Sequence, residues 1–151
     1  MRNTYRQLKN SLKIKNKSED WKNLWLNRSY SQVEENINNI DKPHRSWLME
    51  KLVAPSDSKN ILEIGCGWGP NLLCLSEICA KSSELFGLEL SKSSVEVSRK
   101  YISKSNIKII QGDGCDLSKI GDLTMDLVFT DAVFLYFDKK MLCQSLSLIH
   151  I

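Results

Sequence analysis

Short apolar runs alternate with amphipathic segments along residues 43–151. Apolar runs bounded by turn residues predict buried parallel strands, and apolar positions about three to four residues apart predict helices. The predicted strands are Asn60–Ile64, Leu85–Leu90, Ile107–Gln111 and Met125–Thr130. The predicted helices are His44–Val53, Asn71–Lys81, Lys92–Lys104 and Asp138–Ile149. Strands that alternate with helices in this way predict an α/β fold with a doubly wound, mostly parallel sheet.

The same spacing predicts which side chains of the helices face the sheet. On the first helix the spaced positions are Trp47, Leu48, Lys51 and Leu52. On the second helix the inward set is Leu72, Leu73, Leu75, Ile78 and Cys79. Helices with one apolar face of this kind pack against a sheet and leave their polar face in water.

Charge divides the chain of 151 residues, which is long enough for one domain. Residues 1–17 carry six Lys or Arg and no acid, so the remainder of a chain with net charge +3 carries −3. We expect residues 1–17 to form a flexible basic arm, and contact with nucleic acid or an anionic surface is the less favoured alternative. Residues 18–42, which contain Trp21, Trp25 and Tyr30, are predicted to form a helical extension beside the main domain at 43–151.

Composition indicates a protein of the cytoplasm. The chain is 42% hydrophobic and 26% charged, without an apolar run long enough to span a bilayer. Its first residues contain no apolar core of the signal-peptide kind. The five cysteines form no CxxC pair, which favours reduced thiols and gives no indication of a metal site.

The predicted strand ends collect glycine and acid, and ligands of doubly wound sheets bind at those ends. The first strand contains Glu63 and runs into the turn Gly65–Gly69, whose small residues let a ligand approach the backbone. Acids also lie at or after the other three strands, at Glu89, Asp113 and Asp131.

The same residues argue against a phosphate ligand. A P-loop requires a lysine that the turn does not have, and a dinucleotide turn read from Gly67 has Leu72 where its third glycine belongs. The acids instead suit a ligand that carries an ammonium, a sulfonium and an adenine amino group.

These motifs resemble the class I S-adenosylmethionine-dependent methyltransferases. The resemblance rests on Leu62–Gly69, Gly87–Leu90, Gln111–Asp113 and Asp126–Phe129, in that order and at fitting distances, and it covers about residues 43–149. It implies a Rossmann-like methyltransferase fold and S-adenosylmethionine as the cofactor. It also implies methyl transfer to an acceptor, for which a small molecule such as a sugar or another metabolite is favoured because no NPPY-type motif is present.

The resemblance also implies roles for individual residues. The methionine part of the cofactor would lie on Glu63 and on the turn that contains Gly65, Cys66, Gly67 and Gly69. Glu89 would bind the ribose hydroxyls, and Asp113 would accept from the adenine amino group, with Gly112 and Gly114 beside it.

Further residues are candidates for the acceptor side of the site. Asp131 is the candidate base or substrate contact, and His44 is a second choice. His44 and Arg45 are otherwise expected on the surface turn of a helix, whereas Trp25 and Tyr30 are candidates for a lid over the cofactor.

The family's domain has seven strands, and the sequence ends after the helix that follows the fourth. We therefore expect an incomplete domain that lacks strands five to seven, as in a truncated or frameshifted chain. Two alternatives to the methyltransferase hypothesis stay open: a noncatalytic cofactor-binding remnant or partner subunit, and an NAD- or nucleotide-binding Rossmann enzyme.

Overall fold

The computed structural model describes residues 17–27, 43–52 and 60–149. Its strands are β1 (Asn60–Ile64), β2 (Glu84–Glu89), β3 (Ile107–Gln111) and β4 (Leu127–Thr130), and its helices are α1 (Lys17–Leu26), α2 (Pro43–Leu52), α3 (Pro70–Ile78), α4 (Lys92–Tyr101) and α5 (Lys139–Ile149). The strands form one parallel sheet in the order β3-β2-β1-β4. The predicted α/β class and the parallel sheet are confirmed.

Strand β1 lies between β2 and β4, so the chain leaves β1 in one direction and later returns to its other side. Glu63 pairs in register with Gly87 of β2 and with Phe129 of β4. The crevice of a doubly wound sheet opens where the strand order reverses, which here is the carboxyl end of β1.

Two apolar cores sandwich the sheet, because alternate side chains of a strand point to opposite faces. On one face Ile61 packs with residues of α2 and α3, including Met49 and Leu72. On the other face Leu62 and Ile64 pack with Leu88 and with partly buried residues that include Ile149 of α5. Strand β1 is therefore buried on both sides, as predicted from its apolar residues on both faces.

Several predicted boundaries were too generous, including the end of β2, which lies at Glu89 rather than at Leu90, and the start of α5, which lies at Lys139 rather than at Asp138. Helix α3 ends at Ile78 rather than at Lys81, because Cys79 leaves the helical region with φ −76° and ψ 160°. Helix α4 ends at Tyr101 rather than at Lys104, since Ile102 is extended. Strand β4 begins at Leu127 rather than at Met125, and the preceding Asp126 accepts a hydrogen bond from the backbone N–H of Asn60 at 2.7 Å.

Some predicted inward positions were also wrong. Trp47 is 60% exposed and Ile78 is 47% exposed, whereas Met49, which the spacing did not select, is buried in the core. Leu48 and Leu52 of helix α2 do pack against this core, as predicted. The spacing of apolar residues predicts which side of a helix can pack on the core, but the way the helix docks decides which of those side chains are buried.

Part of the N-terminal prediction falls outside the described residues. Residues 1–16 and the candidate lid residue Tyr30 belong to that part. Helix α1, which carries Trp25, overlaps the predicted helical extension but begins one residue earlier, at Lys17. No helix among the described residues is long and apolar enough to cross a membrane.

Candidate active site

A cavity of about 360 Å³ opens at the carboxyl end of β1. Its walls come from β1 and the glycine turn, from the residues that follow the other three strands, and from α1 and α2. The predicted site residues Glu63, Glu89, Asp113 and Asp131 all line it. Four acids from four different strand ends therefore converge on one volume.

The turn after β1 depends on left-handed backbone. Gly65 has φ 74°, Gly67 has φ 59° and Gly69 has φ 91°, a region in which side chains are strained. A Cβ on Gly67 would meet no atom within 4 Å, whereas one on Gly69 would lie 2.7 Å from Ile102 Cδ1. Gly65 and Gly67 line the cavity, while Gly69 does not and serves as the N-cap of α3.

Glu89 fastens this turn to β2 with both carboxylate oxygens. The backbone N–H of Gly67 donates to Glu89 Oε2 at 2.9 Å, and the backbone N–H of Ser91 donates to Oε1 at 2.7 Å. Ser91 in turn caps α4, since its side chain accepts from the N–H of Ser94. A carboxylate has about four lone-pair sites, so Glu89 keeps acceptor capacity for a ligand hydroxyl in the cavity.

A chain of polar side chains runs from α2 into the sheet. Arg45 Nε donates to Asn71 Oδ1 at 2.9 Å, and Asn71 Nδ2 donates to Glu63 Oε1 at 2.7 Å. Asn71 Nδ2 also reaches Asp131 Oδ2 at 3.4 Å. Arg45 and Asn71 both line the cavity. Arg45 was expected on a surface helix turn rather than in a catalytic site; it lies on α2, which places it against the start of α3 and in the cavity wall.

Glu63 is a buried acid, and of its two carboxylate oxygens Oε1 accepts the hydrogen bond from Asn71. Its side chain is 1% exposed, and among the described residues Oε2 has no hydrogen-bond partner. The pKa of Glu63 is raised to about 8, mainly because the carboxyl group is buried. The hydrogen bond from Asn71 lowers this pKa, and the nearby charge of Asp131 raises it further. At neutral pH the carboxyl group is therefore largely protonated, and a cation placed beside Oε2 would favour its ionised form.

The loop after β4 closes the cavity from the opposite side. Ala132 adopts φ 64°, which is unusual for a residue with a Cβ, and it follows Asp131 directly. This bend lays Val133 against the glycine turn, where a Cβ on Gly65 would lie 2.1 Å from Val133 Cγ2. His44 Nε2 lies 3.9 Å from Asp131 Oδ2, so α2 brings the second-choice residue beside the first.

Asp113 lines the cavity from the loop after β3, two strands away from β1. Its Oδ1 accepts from the backbone N–H of Cys115 at 3.0 Å, and its Oδ2 forms an ion pair with Lys22 of α1 at 2.7 Å. The neighbouring Gly112 and Gly114 have no room for a Cβ, which would approach Leu88 Cδ1 to 2.5 Å and Ile64 Cγ2 to 2.8 Å, respectively.

The family model of the methyltransferase domain matches residues 61–150, which is more than half of the chain. The chain belongs to the class I methyltransferases. The family predicted from the sequence is therefore confirmed.

Solved structures share the fold of this methyltransferase domain. A protein of Methanococcus maripaludis assigned as an S-adenosyl-L-methionine-dependent methyltransferase superposes with a TM-score of 0.66 at 19% identity, over 78% of this chain and 54% of that protein. The amino pentose methyltransferase CalS10 of Micromonospora echinaspora, solved with its cofactor bound, has a TM-score of 0.61 at 19% identity, over 81% and 52%. This chain thus spans about half the length of these proteins.

A curated relative shares more sequence over a shorter stretch. An uncharacterized protein of Rickettsia prowazekii is 44% identical over 57 residues, which are 38% of this chain and 22% of that protein. The expected absence of strands five to seven concerns the whole protein and stays a prediction.

The thiol in the glycine turn of this methyltransferase domain is unsuited to nucleophilic chemistry. Cys66 is buried, and burial together with the nearby acids Glu63 and Glu89 raises the pKa of its thiol well above the ordinary value. A protonated thiol is a poor nucleophile. All five cysteines lie in the described part of the chain and are free of disulfides. That part also contains no cluster of three or more His, Cys, Asp or Glu suited to a metal ion.

Sequence reasoning missed three polar residues of the site. Asn71 had a signal, since a polar side chain in the first turn after a glycine loop lies next to the strand end. Arg45 and Lys22 had none, because their partners are 26 and 91 residues away in sequence. Only the packing of α1 and α2 over the strand ends brings them to the cavity.

Proposed function

We propose that the cavity binds S-adenosylmethionine and that the whole protein transfers its methyl group to a small-molecule acceptor. The observation that carries the proposal is the buried Oε2 of Glu63, which has no hydrogen-bond partner among the described residues, in a cavity wall that also contains Asp113 from two strands away. An ammonium beside Glu63 and an amino group beside Asp113 match the two ends of that cofactor.

The methionine end of the cofactor fits the chain of Glu63, Asn71 and Arg45. Glu63 Oε2 would accept from the ammonium group, and the Arg45 guanidinium, which already lines the cavity, would pair with the carboxylate. The open side of Gly67 leaves space for the ligand along the turn, with Gly65 and Cys66 beside it. Gly69 would act indirectly, by holding the start of α3.

The adenosine end fits the two other acids. Glu89 would accept from the ribose hydroxyls while it holds Gly67 and Ser91. Asp113 would accept from the adenine amino group, with Gly112 and Gly114 keeping the backbone close to the base.

When bound, the cofactor supplies a methyl group that its sulfonium has already activated. The protein then needs mainly to align an acceptor and to exclude water. Asp131 lies in the cavity wall within 3.9 Å of His44, and it would accept the proton that an acceptor hydroxyl or ammonium loses. Tyr136 and Phe137 add apolar wall that helps to exclude water. A small acceptor such as a sugar or another metabolite is proposed because the sequence contains no NPPY-type motif.

Calorimetric titration with S-adenosylmethionine, S-adenosylhomocysteine and NAD tests the cofactor. We expect both sulfur compounds to bind and NAD to bind far more weakly. Binding of NAD alone would establish the nucleotide-binding alternative instead. Asp113→Asn should weaken binding of S-adenosylhomocysteine, while Asp122→Asn, in a loop outside the cavity wall, should leave it unchanged.

Turnover separates an enzyme from a noncatalytic remnant. We expect the protein to release S-adenosylhomocysteine when it is given a panel of sugars and other small metabolites, and Asp131→Asn to reduce the rate with little change in cofactor affinity. Tight cofactor binding without turnover on any acceptor would favour the remnant or partner-subunit alternative.

A further inference from the structure

Helix α1 places a lysine on the acid at the adenine end of the cavity. Lys22 Nζ lies 2.7 Å from Asp113 Oδ2, and the other oxygen of Asp113 already accepts from the Cys115 backbone. Among the described residues Oδ2 has no backbone donor of this kind, and the Lys22 ammonium lies in the cavity wall beside it, where a ligand amino group that approaches Oδ2 would compete with it for space.

The rest of the helix face supports a position inside the ligand volume. Lys22 and Trp25 both line the cavity, and they lie one helical turn apart. The Trp25 ring packs edge-on against Tyr136, with centroids 5.6 Å apart. Helix α1 is thus attached to the cavity wall at two points, the ion pair and the aromatic contact.

We propose that Lys22 is a competitive latch, whose ammonium must release Asp113 before the amino group of an adenosine ligand can bind there. This rests on the proposed function, since it takes Asp113 as the adenine acceptor. The consequence is that α1 regulates cofactor entry: conditions that weaken the ion pair favour binding, and conditions that strengthen it oppose binding.

The sign of the effect on binding distinguishes a latch from an ordinary binding residue. Adenosine is the suitable probe because it is neutral, so removing a lysine does not change its affinity through net charge. Lys22→Met keeps the length of the side chain and removes the ammonium. Lys104→Met is the matched control, because Lys104 also forms an ion pair between elements, with Glu77, and has the same 38% side-chain exposure, but lies away from the cavity.

We expect Lys22→Met to tighten adenosine binding by about two- to fivefold, the range of a partly exposed ion pair, and Lys104→Met to leave it unchanged. Raising the salt concentration should tighten adenosine binding to the wild type, because salt screens the ion pair, and should have no such effect on Lys22→Met.

Three other outcomes would overturn the latch. Weaker binding by Lys22→Met would show that Lys22 contributes to the ligand site. Unchanged binding by that variant, together with loss of binding by Asp113→Asn, would leave the proposed function standing and remove the latch alone. Absence of adenosine and S-adenosylhomocysteine binding to every form would refute both.

Discussion

Asn71 Nδ2 donates a hydrogen bond to Glu63 Oε1 at 2.7 Å, and the two side chains are 4% and 1% exposed. This bond satisfies one oxygen of a carboxyl group that is buried in the sheet and leaves the other for the cavity. Because Arg45 donates to the same amide, α2, α3 and β1 all take part in holding Glu63 in place. Burying a carboxyl group costs free energy unless hydrogen bonds replace those that it made with water, and the Asn71 amide supplies such a bond here.

Glu63→Gln is expected to remove a pH dependence of folding stability. Because burial raises the pKa of Glu63 to about 8, the folded state keeps a proton at pH values where the unfolded chain has lost it. The stabilisation is complete below the unfolded pKa, near 4.5, and is lost as the pH rises through the folded one. Urea unfolding from pH 5 to pH 8.5 should show the wild type losing on the order of a few kcal/mol relative to the variant.

The exposed Glu50→Gln variant on α2 is the control for that experiment, since Glu50 is paired only at the surface with Lys51. Its stability should follow the pH dependence of the wild type. Equal slopes for the wild type and Glu63→Gln would mean that Glu63 is ionised in the folded protein.

Glu89→Gln should loosen the glycine turn as well as the ligand site. The amide keeps one acceptor oxygen, so one of the two backbone N–H groups, of Gly67 or of Ser91, loses its partner. An unsatisfied buried donor costs about 1–3 kcal/mol of the free energy of unfolding. Urea unfolding measures this cost, with Glu96→Gln on the exposed side of α4 as a control that should change little. If the two variants unfold alike, the Glu89 contacts do not support the turn.

The sequence predicted the parts of the fold that local pattern controls. The apolar residues of β1 and the glycines after it are close together in the sequence. Because such a local pattern determines both the strand and the turn, both were predicted at the correct positions. The acids of the cavity could be predicted to converge because parallel strand ends share one edge of the sheet. Lys22 and Arg45 could not be predicted, since their positions depend on how α1 and α2 dock. The exposure of Trp47 has the same origin.

Gly65→Ala should destabilise the protein more than Gly67→Ala. Both residues have positive φ, a conformation in which alanine is less favourable than glycine, so each substitution should lower the free energy of unfolding by about 1–2 kcal/mol. Only at Gly65 does the new Cβ also overlap a neighbour, Val133 Cγ2 at 2.1 Å, whereas the space beside Gly67 is open. Thermal or urea unfolding should therefore rank Gly65→Ala as the less stable variant.

A double variant isolates the steric part of that cost. Val133→Ala removes the clashing methyl groups, so Gly65→Ala should be less harmful in the Val133→Ala background than in the wild type. If the two substitutions add without coupling, the loop after β4 does not pack on the turn as the structure shows.

Arg45→Met is expected to weaken binding of S-adenosylhomocysteine while leaving adenosine binding unchanged. Our proposal pairs the guanidinium with the ligand carboxylate, and adenosine has no such group. A hydrogen bond to a charged group contributes about 1.5–3 kcal/mol, so the affinity should fall by roughly ten- to 150-fold.

The control is Lys51→Met on the same helix, which removes an exposed charge that is paired with Glu50. S-adenosylhomocysteine without its carboxylate should bind the wild type and Arg45→Met equally. If Arg45→Met instead weakened binding of this analogue as much as binding of S-adenosylhomocysteine, Arg45 would act only by holding Asn71 and Glu63 in place.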